Sequence, residues 1–210
     1  MDANLRAIIQ KRIEKTIGNL RNNKMAAYYV EKAADVVPLV CELCEEGESV
    51  AVGGSMTLFE CGLIDHLDSG RYRFLNRYAP KVDLEKLNRD VFSVDTFFTS
   101  SNAITENGEL YNVDGFGTRI APMIFGPQSV IVVAGYNKIV SDLDAAAKRV
   151  REIAAPANAM RLDRKVPCKI IGFCQQCRSD ERICADYLVI SQQKIKNRIK
   201  VILVGEELGY

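Results

Sequence analysis

Apolar residues recur at helical spacing from the start of the chain. Leu5, Ile8, Ile9, Ile13, Ile17 and Leu20 share one face of a helix predicted over residues 3–21. A second apolar-rich stretch predicts a helix from Met25 to Glu46, kinked at Pro38 and stopped at Gly47. The pattern then changes. "SVAVGG" reads as a short buried strand ending in glycines, and "SMTLFECGLIDHL" reads as a helix. After a polar stretch over residues 68–82, a short helix is expected near Leu84–Phe92, and then a strand in "DTFFTSSNA".

"ITENGELYNVDG" alternates around an Asn107-Gly108 turn and predicts a hairpin. "TRIAPMIF" gives a short helical turn. "SVIVVAG" has four consecutive β-branched residues closed by glycine, the signature of a central strand buried on both faces. "SDLDAAAKRVREIAAP" predicts a helix with Ser141 as its N-cap. Strands in "DYLVISQQ" and "IKVILVGEELGY" complete the pattern.

Strands alternating with helices imply an α/β fold with a mainly parallel central sheet and helices on both faces. The expected organisation is one domain over residues 1–210. N-terminal helices occupy 1–46, the core 47–162, and a cysteine-rich tail with closing strands 163–210. No internal repeat, low-complexity run or linker interrupts it.

Composition narrows the choice of partner. The 28 basic and 27 acidic residues leave a formal charge of +1, which offers no footprint for nucleic acid or an anionic membrane. No apolar run reaches the ~18 residues of a membrane span, and the charged N-terminus lacks a signal peptide's apolar centre. The chain reads as cytoplasmic. In that compartment an odd number of cysteines, seven, argues against a disulfide framework.

Three segments carry candidate ligand chemistry. In "AVGGSMT", Gly53 and Gly54 let backbone amides approach an anion, while Ser55 and Thr57 offer hydroxyls. The spacing is neither a P-loop nor a dinucleotide fingerprint. A plain strand-to-helix turn with Ser55 as N-cap fits equally well. In "TSSNAITENGELYNVDGFGTRIAP", Asn102, Asp114 and Arg119 stand out, because two glycines in "DGFGTR" can bring the last two together. Asp114 is the candidate acid/base group. In "VVAGYNKIV", Gly135 ends the central strand, and Lys138 lies at its carboxyl end as a charge or a base. His66, the only histidine, is expected on a helix away from the crevice, which speaks against a Ser-His-Asp or Cys-His mechanism.

Cys168, Cys174, Cys177 and Cys184 have the spacing C-x5-C-x2-C-x6-C. Cys174-x2-Cys177 can form a chelating knuckle, with Gly172 giving room to turn. Four thiolates suit zinc or an iron–sulfur cluster, and spacing does not separate these from a site without metal. The expectation is a module outside the ligand crevice.

The string "SNAIT…G.L.N.DG.G.R…FGP..VI.V.G.NKIV", together with "VAVGGSMTLFECGL", resembles the lactate-utilization (LUD) domain family. The chain looks like a stand-alone member with a cysteine-rich C-terminal tail. The resemblance implies a fold of ribose-5-phosphate isomerase and CoA-transferase type. It also implies that Gly53–Thr57, Asn102–Arg119 and Gly135–Lys138 line one pocket for a small anionic metabolite: a 2-hydroxy or 2-oxo acid, a sugar phosphate or an acyl-CoA type. One family branch works in iron–sulfur-dependent lactate oxidation, which would make iron–sulfur oxidoreductase subunits partners and an iron–sulfur cluster a candidate cofactor. A non-catalytic ligand-binding or regulatory protein, a sugar-phosphate isomerase-like enzyme, and homo-oligomers of either remain open. Thr118 stands where many members carry asparagine.

Overall fold

The computed structural model describes residues 2–210. Its first strands are β1 (Ala26–Val30), β2 (Ser49–Val52), β3 (Arg73–Leu75) and β4 (Thr96–Thr99). The short β5 (Ala103–Thr105) and β6 (Leu110–Asp114) follow, then β7 (Ser129–Gly135), β8 (Ile139–Val140), β9 (Asp186–Ile190) and β10 (Ile199–Val204). Six of them make a wholly parallel sheet in the order β1-β10-β7-β4-β2-β3. The other four make a small mixed sheet in the order β8-β5-β6-β9. Its β5–β6 hairpin turns at Asn107-Gly108, as the alternation predicts.

The main sheet is covered on both faces, and the period-two side-chain alternation of its strands shows why. Val130, Val132, Val201 and Leu203 join Ile13, Leu20 and Phe97 in one buried cluster. Ile131, Val133, Ile202 and Val204 point the other way and pack with Val36, Val40, Leu58 and Leu63. Helix α1 (Ala3–Asn22), started by the Asp2 carboxylate accepting from Asn4 and Leu5 N–H groups, closes the first face. The second is closed by α2 (Val36–Leu43), α3 (Met56–Glu60) and α4 (Leu63–Leu67).

Three local expectations are corrected. Residues 25–46 are not one helix, because Ala26–Val30 pair in parallel with β10 along the sheet edge. The β-forming Tyr28, Tyr29 and Val30 gain more from that ladder than from extending a helix. Pro38 falls in the first turn of α2, where no intrahelical N–H is needed, so it kinks nothing. "SMTLFECGLIDHL" breaks into α3 and α4 at Gly62, which is left-handed with φ 70°.

Beyond α5 (Leu84–Asp90) and α6 (Ile120–Ile124) lies the helix predicted after β7. It is capped by Asp142, which accepts from Ala145 N–H at 2.8 Å, while Ser141 only donates to Asp142. This helix runs as α7 (Leu143–Arg149), a π-helical turn over Val150–Ala154, and α8 (Ala155–Arg161). The last helix, α9 (Pro167–Ile171), opens the cysteine segment.

Candidate functional site

In a parallel sheet the carboxyl ends of the strands share one edge, and the loops beyond them build the crevice. Here the loops after β2, β4 and β7 and the turn after β6 surround a cleft of about 560 Å³. That is within the roughly 300–1,000 Å³ of small-molecule sites.

Lys138 lies at its floor, 2% exposed. Its ammonium donates to Thr57 Oγ1 at 2.8 Å and to Ser100 Oγ at 3.0 Å. Burial first, and then the charges of Arg149 and Arg119, lower its pKa to about 7, with Glu60 opposing. Near neutral pH the group therefore exchanges a proton readily.

Arg119 fixes the neighbouring wall. Nη1 donates to Ser100 O at 3.0 Å and Asn112 Oδ1 at 2.7 Å. Nη2 donates to Asn102 Oδ1 and Val113 O, both at 2.8 Å. All four acceptors are neutral, and burial lowers the Arg119 pKa. Arg149 supports the site from behind, donating to Asn137 O at 3.0 Å and Asn102 O at 2.6 Å.

Asp114 and Arg119 do come together, through the backbone. Asp114 Oδ2 accepts from Arg119 N–H at 2.9 Å, and Oδ1 accepts from Gly115 N–H at 2.6 Å and Phe116 N–H at 3.2 Å. The carboxylate lines the cleft while holding the turn 115–119 in shape.

Gly54, Ser55, Asn102, Asp114, Arg119 and Lys138 all line the cleft. Gly53, Thr57 and Gly135 stand behind that lining. A Cβ on Gly53 would meet Arg119 Cγ at 2.7 Å, so this glycine makes room for the arginine. Thr57 is fully buried, accepting from Lys138 and donating to Leu208 O at 3.3 Å. A Cβ on Gly135 would meet Glu206 O and Leu208 N at 2.5 Å, so it admits the C-terminal segment beside β7.

The sequence reading missed the rim. Arg77, Asn158, Arg161, Arg164 and Tyr210 also line the cleft. Arg164 Nε is buried without a hydrogen-bond partner. The lining thus carries five cationic side chains, Arg77, Arg119, Lys138, Arg161 and Arg164, against the single carboxylate of Asp114. None of the five takes part in an ion pair among the described residues. His66 lies elsewhere, its Nε2 3.5 Å from Cys41 Sγ.

None of the four tail cysteines lines the cleft, but the segment that carries them reaches its wall. Ile183 lines the cleft and approaches Gly115, where a Cβ would meet it at 3.4 Å. Ala185 N–H donates to Asp114 O at 2.8 Å, and β9 continues as the partner of β6. Sequence separation hid this contact, which arises because β9 returns antiparallel to the strand that ends at Asp114. Cys168, Cys174, Cys177 and Cys184 are half-buried free thiols. Burial first, then the other three thiols, raise the Cys168 pKa, so the four share one neighbourhood. Among the described residues, no three His, Cys, Asp or Glu side chains are arranged to ligate a metal as they stand.

No helix among the described residues is long and apolar enough to cross a membrane. No curated protein matches the chain. A crystal structure of a DUF162 family protein from Deinococcus radiodurans is similar, at TM-score 0.54 and 15% identity, over 95% of this chain and 98% of that one. A crystal structure of eIF2B beta from Chaetomium thermophilum aligns with 52% of this chain and 43% of that one, at TM-score 0.39 and 13% identity. The family model described as the LUD domain matches residues 13–204, nearly the whole chain. The chain belongs to the LUD domain family, whose name ties it to lactate utilization.

Proposed function

We propose that the cleft binds a small anionic metabolite of the 2-hydroxy or 2-oxo acid type, and that Lys138 handles a proton on it. The observation carrying this reading is the excess of cations: five in the lining, unpaired with acidic side chains, against one carboxylate already engaged by three backbone N–H groups. An anion entering there offsets buried positive charge and meets the free Nε of Arg164. Arg119 and Lys138 receive the acid group, and hydroxyls of Ser55 and Ser100 orient it. With its pKa near 7, Lys138 takes or returns a proton at a ligand hydroxyl or α-carbon. Oxidation of a 2-hydroxy acid also needs an electron acceptor, which this reading assigns to iron–sulfur oxidoreductase partner subunits.

A sugar phosphate meets the same cations, and the test separates the two ligand classes. Calorimetric titration at pH 6 with L-lactate, pyruvate, inorganic phosphate and ribose 5-phosphate should give binding by a carboxylate ligand. That binding should be weakened in Arg161→Ala/Arg164→Ala. Tighter binding of ribose 5-phosphate would turn the reading toward an isomerase-like site. Failure of all four to bind the wild-type chain would sink it.

A further inference from the structure

Residues 172–185 form neither helix nor strand, and no side chain from 167 to 189 is fully buried. Ile170, Ile171 and Phe173 face solvent, so this segment has no apolar core of its own. It nevertheless supplies Ile183 to the cleft wall and reaches the π-helical turn, where Cys174 N–H donates to Arg151 O at 3.2 Å. A segment this poor in burial needs a cross-link to hold one shape. The chain provides four thiols there and no disulfide.

The backbone around those thiols is already turned as a chelating knuckle. Gln176 is left-handed, with φ 49°, and donates its N–H to Cys174 Sγ at 3.3 Å, closing the turn between Cys174 and Cys177. Gly172, at φ 82°, turns the chain between Cys168 and Cys174. Arg182 then links the other half. Its Nη1 donates to Cys177 O at 2.8 Å and its Nε to Cys184 O at 2.9 Å. The guanidinium also brings positive charge to a site whose four thiolates would outweigh a divalent ion.

We propose that Cys168, Cys174, Cys177 and Cys184 bind one Zn2+ as a closed tetrathiolate site, and that this ion fastens residues 172–185 against the wall of the cleft. Closed four-ligand zinc sites are structural, and structure is what this segment lacks. The thiols must draw together around the ion, and no fully buried side chain in the segment resists that movement. The proposal stands apart from whichever ligand the cleft takes.

The test uses the full chain, expressed without a polyhistidine tag and purified anaerobically. Elemental analysis should give ~1 zinc per chain, and Co2+ exchanged into the site should show thiolate-to-cobalt charge transfer. Cys177→Ser should lose the zinc. Because that variant can also misfold, the wild-type chain is stripped with a chelator and refilled. Trypsin should then cut after Arg178 or Arg182 roughly tenfold faster in the stripped form, and zinc should restore protection. Iron with inorganic sulfide overturns the proposal in favour of a cluster. A metal-free chain with four titratable thiols and unchanged cleavage after zinc addition overturns it altogether.

Discussion

The ammonium of Lys138 lies 2.8 Å from the hydroxyl of Thr57, joining the carboxyl end of β7 to the first turn of α3. Burial first, and then the charges of Arg149 and Arg119, make its proton loosely held for a lysine. Anion affinity should therefore fall as pH rises through about 7, where the cationic form is lost. Titration with pyruvate between pH 6 and 8.5 measures this. A flat profile would remove Lys138 from ligand binding.

The same group gives a stability signature with a definite sign. Its folded pKa lies below the value in the unfolded chain, so folding is disfavoured most below about pH 7. That penalty fades as pH rises toward the unfolded value. Lys138→Met removes it, and its stability relative to wild type should be greatest in acid. The difference should shrink by up to ~1.4 kcal/mol per pH unit above neutrality. Urea denaturation of both chains at pH 6, 7.5 and 9 checks the trend.

Two adjacent glycines should behave differently. A methyl on Gly53 would meet Arg119 Cγ at 2.7 Å, Thr99 Oγ1 at 3.1 Å and Phe97 Cζ at 3.2 Å, whereas one on Gly54 meets nothing within 4 Å. Gly53→Ala should push the arginine from its four acceptors, lowering anion affinity at least tenfold and costing about 1–3 kcal/mol. Gly54→Ala should stay within about 1 kcal/mol of wild type in stability. Equal effects from the two would contradict the placement of Arg119.

The contrast between these glycines shows what the sequence could reveal. The β-branched run of β7 announced a central parallel strand, because burial on both faces leaves no polar alternation. Gly53-Gly54, Asn102, Arg119 and Lys138 could be placed at strand ends for the same reason. The division of labour among them could not. Whether a glycine faces ligand or makes room for an arginine depends on a side chain 66 residues later. The rim arginines were hidden because Arg161 and Arg164, at and just past the end of a helix, look like ordinary surface cations, and only the fold sets both beside the cleft. The edge strand β1 was misread as helix because its partner β10 lies at the far end of the chain.

Arg119 itself should be intolerant even of lysine. One guanidinium satisfies Ser100 O, Asn102 Oδ1, Asn112 Oδ1 and Val113 O. A lysine ammonium has three donors on a single atom and cannot span two pairs of acceptors on separate strand ends. Arg119→Lys should lower stability by about 3 kcal/mol through the acceptors left buried and unpaired. On a chain of this size that corresponds to a melting temperature lower by roughly 6–12 °C. Scanning calorimetry measures it directly, and a shift within two degrees would show that the fork geometry is dispensable.

Asp114→Asn separates support from chemistry. The carboxylate accepts three backbone N–H groups, from Gly115, Phe116 and Arg119, and turns none of its hydrogen-bonding geometry toward a proton donor of acid strength. Asparagine keeps one carbonyl oxygen but presents an NH2 group to N–H donors, so at least one of the three bonds is lost. The cost should be about 1–3 kcal/mol, with the turn 115–119 loosened and the buried Arg119 charge less well offset. Anion affinity should drop in step with that stability, and its pH dependence should keep the midpoint set by Lys138. A loss of turnover of a hundredfold or more at unchanged stability and affinity would instead assign the proton transfer to Asp114.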